Sequence, residues 1–197
     1  DEVYREFCYT DEPHFSAMNI PGLEQNVVLI DSVSKRYNLC GARVGCIISH
    51  NKDVMAAAMK FAQARLCPPV LGQKAAIGAL DTPDEYFAAV KEEYIKRRDF
   101  MIEGLNKIEG VFTPLPMGAF YTIAELPVDD TENFARWMLE SFRIDNETTM
   151  VTPAASFYKT PGMGKNHARI AYVLEVDARK KALHILEEGL KAYPGRT

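Results

Sequence analysis

The sequence predicts an α/β chain that ends in a smaller α+β unit, and three observations carry that expectation. Two short apolar runs, Val27–Ile30 and Arg43–Ile48, read as strands and are followed by helical patterning from Asn51. One long amphipathic stretch then runs from Thr82 to Gly110. Beyond it short elements alternate in the order helix, strand, helix, strand, strand, helix, which suits helices packed on one face of a small sheet. With 197 residues, 47% hydrophobic and 25% charged, the chain can bury a substantial core in one large or two small domains.

Taken in order, residues 8–26 read as a surface loop broken by Pro13, Pro21 and Gly22. The two strands follow, the first expected to be buried from its β-branched content. Asn51 is placed to cap a helix through Val54, Met55, Ala58, Met59 and Ala62, ended by Pro68-Pro69. Val70 to about Leu80 reads as a second helix, rich in Ala and Leu and expected to be buried on several sides. Thr82-Pro83-Asp84-Glu85 is a helix start, with an N-cap hydroxyl, Pro at the first helical position and Glu three residues after the cap. Phe87, Val90, Tyr94, Met101, Leu105 and Ile108 then keep one face apolar for about seven turns until Gly110. A helix this long often bridges domains, so the domain boundary is expected near residue 95. Phe120–Ile123, Thr149–Thr152 and Arg169–Val173 read as strands, and Asp129–Phe142 and Asp177–Ala192 as helices. No internal repeat or low-complexity tract is evident.

Composition excludes several classes. The net charge of −4 has no basic stripe of the kind nucleic acid requires. No apolar run approaches the roughly 20 residues needed to span a bilayer, and no signal-peptide pattern opens the chain. The four cysteines, Cys8, Cys40, Cys46 and Cys67, form no CxxC pair and share no ligand spacing with the four histidines. Free buried thiols in a reducing cytoplasm are therefore expected.

The chemistry concentrates between the first two strands. Ser32-Val33-Ser34-Lys35 is followed by Arg43 within Gly41-Ala42-Arg43-Val44-Gly45. A loop that starts and ends on strands thus carries one amine, two hydroxyls and one guanidinium. Hydroxyls and a guanidinium can hold a phosphate dianion, and an amine against apolar walls can condense with an aldehyde. On the loop alone, a polar hairpin with solvated charges fits as well. The rest of the chain adds Asp1 and Tyr4, a carboxylate and a phenol three positions apart, then Pro116-Met117-Gly118-Ala119-Phe120-Tyr121, then Arg169 in the apolar run His167–Val173.

In that order these motifs resemble the C-terminal half of the class I and II aminotransferases, pyridoxal-phosphate enzymes of fold type I similar to aspartate aminotransferase. The most specific element is SxSK followed eight positions later by the arginine of GxRxG. The resemblance implies that residues 1–95 are the C-terminal portion of the large cofactor-binding domain and 96–197 the small α+β domain. It implies that Lys35 condenses with pyridoxal 5'-phosphate and then carries a proton. Asp1 would face the pyridine nitrogen, Tyr4 the ring oxygen, and Arg43 with Ser32 and Ser34 the phosphate. Arg169 would bind the substrate α-carboxylate in a bidentate fork. The implied reaction is amino transfer between an amino acid and a 2-oxo acid in a cytoplasmic homodimer, with aspartate the family-level substrate. A carbon–sulfur lyase or decarboxylase on the same scaffold, or a non-catalytic folding or interaction domain, are the alternatives.

The chain opens without Met, on what reads as a strand end bearing useful residues at positions 1 and 4. It is expected to be a fragment of a longer protein. Alone, it is expected to bind cofactor weakly and turn over negligibly. Gly162–Asn166 lacks the preceding strand and the Ser or Thr of a P-loop and is expected to be a mobile surface loop. The four histidines read as solvated or structural. Arg65 is a weaker candidate for a substrate side-chain carboxylate, reached across a subunit interface.

Overall fold

Leu29–Ser32 and Gly45–Ile48 pair antiparallel as β1 and β2, with Asp31 opposite Cys46 and Ser32 opposite Gly45. The coordinates are a computed structural model that describes residues 1–197. Between the strands the chain turns through a single helical turn, α1 (Val33–Arg36), and a 3-10 turn at Cys40–Ala42. The strands are less buried than their composition suggests: only Leu29 is buried, and every residue of β2 is exposed. Helix α2 (Lys52–Arg65) starts where expected, because Asn51 Oδ1 accepts from the Asp53 and Val54 N–H groups, both at 3.1 Å.

Helix α3 (Val70–Ala79) corrects the expectation of burial on several sides. Gly72 alone is buried, while Leu71 is 85% exposed and Val70, Ile77 and Leu80 are exposed too. Apolar content alone does not bury a helix; a partner surface must cover it. Gly72 is the contact point, since a Cβ there would collide with the Ala42 carbonyl oxygen.

Helix α4 (Asp84–Lys107) runs through the division between two units, Asp1–Lys91 and Glu92–Thr197. In the second unit β3 (Tyr121–Glu125), β4 (Thr152–Pro153) and β5 (His167–Ala171) form an antiparallel sheet in the order β3-β5-β4. The Thr149–Thr152 run contributes only its last residue to a strand, and β5 begins two residues before Arg169. Helix α5 (Thr131–Glu140) is capped by Asp130, whose Oδ1 accepts from the Glu132 N–H at 2.8 Å. Helix α6 (Val176–Ala192) ends the regular structure.

The core of this unit joins Met101, Leu105, Phe134, Met138, Leu186 and Leu190 to Ala124, Ala168 and Tyr172 of the sheet side. Gly189 allows α6 to approach α5, for a Cβ there would strike Met138. Arg179 is an unforeseen member, 1% exposed, its Nη1 donating to the Arg97 carbonyl at 2.9 Å. Burial, then the nearby Arg97 charge, lower its pKa against the opposing pull of Glu93.

At the C-terminal end of α6, Tyr193 donates its hydroxyl to Asp129 Oδ1 at 2.9 Å. Burial first, then the bond to Asp129, push its pKa from 10.0 up to about 12. Because the folded value is raised, the associated stability is intact below pH 10 and disappears as pH climbs to about 12. Denaturant titrations at pH 9 and 12 are expected to differ by on the order of 2–3 kcal/mol from this group. Tyr193→Phe removes that share of the decline, a comparison that separates it from lysine titration.

The cysteine expectation also needs correction. All four are free, but Cys40, Cys46 and Cys67 are exposed, and Cys8 is half-buried. The Gly162–Asn166 loop is tied down rather than loose. Gly164 is buried at φ +71°, seated where a Cβ would enter the Tyr158 ring. The Lys165 carbonyl accepts from both the N–H (2.7 Å) and the hydroxyl (3.0 Å) of Thr131.

Candidate active site

In the first unit, residues 1–7 are fastened to the β1–α1 region by Glu2 and Arg36. The Glu2 N–H donates to the Ile30 carbonyl at 2.9 Å. Its buried carboxylate accepts from Ser16 Oγ and the Ala17 N–H, both at 2.9 Å, and His14 Nε2 lies 3.0 Å from the other oxygen. Burial raises the Glu2 pKa, but the bonds from His14, Ala17 and Ser16 outweigh it and hold the carboxyl below its usual range. Arg36 pairs with Asp31 at 2.8 Å and Glu6 at 3.2 Å. Neither anchor was foreseen, because Glu2–His14 and Arg36–Glu6 join positions with no helical or strand spacing.

This anchoring places Tyr4 edge-on to Phe7, ring centroids 6.1 Å apart, and sets the Lys35 Nζ 5.9 Å from the Tyr4 ring centroid. Lys35 is half-buried on α1, and its Nζ also lies 4.0 Å from Cys40 Sγ. Asp1 is exposed, with its Oδ1 accepting from the Val3 N–H at 3.0 Å.

Ser32, Ser34, Arg43 and Arg65 line one cleft of about 850 Å³, walled by Ile30, Val44, Ile47, Met59 and Leu66. Lys35 and Tyr4 lie outside that lining. Ser32 Oγ caps α1 by accepting from the Ser34 N–H at 3.2 Å, which leaves its own O–H to donate. Arg43 sits at φ 54°, a left-handed conformation that costs a non-glycine residue about 1–2 kcal/mol. That geometry points its Nη1 at the Cys40 carbonyl, 2.8 Å away, and no carboxylate pairs with the guanidinium. The donor set of two hydroxyls and an unpaired arginine therefore fits a phosphate dianion.

In the second unit, Arg169 lies on β5 opposite Ile123 of β3 and Thr152 of β4. Its guanidinium carbon is 5.3 Å from both the Tyr121 and the Phe157 ring centroids. No acidic side chain forms an ion pair with it, so the rings orient a fork whose charge is not neutralised by the protein. Behind it on the same strand, His167 Nδ1 meets the Tyr158 hydroxyl at 2.8 Å, a structural role for that histidine.

The first unit thus presents an amine near a phenol ring and, lining a neighbouring cleft, two hydroxyls and an arginine; the second presents an arginine flanked by two aromatic rings. A family model described as "Aminotransferase class I and II" matches residues 1–186, and the chain belongs to that family. An aspartate aminotransferase of Rhizobium meliloti is 26% identical over 97% of this chain and 47% of its own length. An LL-diaminopimelate aminotransferase of Natranaerobius thermophilus is 30% identical over 93% of this chain and 45% of its own. Among solved structures, the aspartate aminotransferase from Rhizobium meliloti superposes with a TM-score of 0.79 at 26% identity, covering 96% of this chain and 48% of that one. An N-succinyldiaminopimelate aminotransferase from Mycobacterium tuberculosis, at 21% identity and TM-score 0.83 over 95% of this chain and 48% of its own, supports the fold. These are fold-type I proteins, and the chain spans about half the length of the curated relatives it matches.

Proposed function

We propose that this chain is part of a pyridoxal 5'-phosphate-dependent aminotransferase that moves an amino group between a small amino acid and a 2-oxo acid. Residues 1–95 would belong to its large domain and 96–197 to its small one. The observation that carries this reading is the twelve-residue stretch 32–43, which presents an amine, two hydroxyls and an arginine with no carboxylate partner around the end of one hairpin. When bound, pyridoxal phosphate supplies an aldehyde and an electron-withdrawing ring. Lys35 would hold the cofactor through its side-chain nitrogen and would carry a proton to and from the substrate α-carbon. Ser32, Ser34 and Arg43 would hold the phosphate, Asp1 would face the pyridine nitrogen, and Tyr4 would donate to the ring oxygen. Arg169 docks the substrate α-carboxylate.

A dicarboxylic substrate such as aspartate, with 2-oxoglutarate as acceptor, is favoured by the relatives named aspartate aminotransferase. The LL-diaminopimelate aminotransferase at 30% identity marks the neighbouring specificity. We place the protein in the cytoplasm as a homodimer active on small molecules. The test is an assay of the full-length polypeptide with each donor in turn. The expected result is 2-oxoglutarate-dependent transfer from aspartate. Release of pyruvate or carbon dioxide without a 2-oxo acid would point instead to lyase or decarboxylase chemistry.

A further inference from the structure

We propose that Cys40 is a modification site that switches off the Lys35 amine: oxidised by a peroxide, its sulfur bonds to the Lys35 nitrogen. Two nucleophiles lie side by side on this loop, Cys40 Sγ 4.0 Å from Lys35 Nζ. The thiol hydrogen is directed to the Ser34 carbonyl oxygen at 3.0 Å, so the sulfur is held in place by the turn that carries the lysine. Both residues have fixed backbones, Lys35 within α1 and Cys40 at the start of the 3-10 turn. The four-carbon stem of lysine supplies the freedom to close the remaining gap. Cys40 is exposed, so a small oxidant reaches it. Cys46, though its surface is exposed, offers a weaker target, because partial desolvation of its thiol by surrounding chain and then the Asp31 charge push its pKa up.

The chemistry balances in two steps. The thiol attacks a peroxide oxygen, giving a sulfenic acid at Cys40, and the peroxide is reduced to water or an alcohol. The Lys35 nitrogen lone pair then attacks that sulfur. Hydroxide leaves and takes up the nitrogen's proton as water, forming an S–N bond with net loss of one hydrogen each from sulfur and nitrogen. A small thiol reverses it by attacking the sulfur and releasing the amine. The bond stands on geometry alone, whereas its consequence for catalysis rests on the proposed role of Lys35.

The experiment treats the full-length polypeptide with one equivalent of hydrogen peroxide and maps its peptides without reductant. Expected is a cross-linked species joining residues 35 and 40, two hydrogens lighter than the reduced protein, cleaved by dithiothreitol and absent from Cys40→Ser. Labelling of Lys35 by pyridoxal phosphate and borohydride should fall in proportion to the cross-linked fraction and return with dithiothreitol. Cys40 recovered only as sulfinic or sulfonic acid, or a two-hydrogen loss that persists in Cys40→Ser, would overturn the proposal. A cross-link in a protein whose Lys35 is never labelled would leave the switch bond standing and remove the cofactor role instead.

Discussion

Lys35→Ala in the full-length polypeptide is expected to lower amino transfer by about 10⁴-fold, the upper range for loss of a positioned proton carrier, compounded here by loss of the nucleophile. The structure predicts that this loss is chemical and not structural. Lys35 is half-buried at the end of a hairpin and is not a member of the hydrophobic core cluster. Thermal unfolding of the variant should therefore match that of the parent. Lys35→Arg separates charge from nucleophilicity: the guanidinium keeps the positive charge beside Tyr4 but does not give up a proton at working pH. It should be as inactive as the alanine variant. Substantial turnover in either would assign the chemistry to another amine.

Phe134→Ala is the largest expected stability effect. Phe134 is fully buried on α5, edge-on to Tyr193 at 5.2 Å and stacked with Trp137 at 6.4 Å. Truncation removes the ring and leaves a cavity that Met138 and Leu190 fill only in part, for a cost of about 3–5 kcal/mol. The second unit should melt lower by about 10 °C or more. Phe112, by contrast, is 63% exposed, and Phe112→Ala should cost less than about 0.5 kcal/mol. Equal losses at the two positions would contradict the core as described.

Local signals gave the most legible parts of the fold. The Asn51 cap and the helices α4, α5 and α6 are short-range physics and appear in the structure as expected, except that α4 starts at Asp84, one residue after the Pro83 expected at its first position. Burial was less legible, because it depends on what lies opposite. The apolar runs of β1 and α3 read as interior, yet Ile30 and Leu71 stand exposed. Strand limits slipped for a related reason: Thr149–Val151 has strand composition, but only Thr152 and Pro153 find a partner in β5.

The site divides the same way. That Ser32, Ser34 and Arg43 gather at one cleft was legible, because the elements that position them are adjacent in sequence. What holds them was not: the Glu2 carboxylate satisfied by residues 14–17, and α3 pressed by Gly72 against the turn before Arg43, are long-range contacts without a sequence period. The Cys40 sulfur beside Lys35 was missed because a helical turn followed by a 3-10 turn brings positions five apart together, a spacing no regular element produces.

The proposed function requires that one amine, on Lys35, condense with the cofactor aldehyde. The direct measurement loads the full-length polypeptide with pyridoxal phosphate, reduces it with borohydride and maps the labelled peptide. The expected result is a single pyridoxyl group on Lys35. Label on Lys52, Lys60, Lys74 or any other lysine in its place, or no label at all, would contradict it.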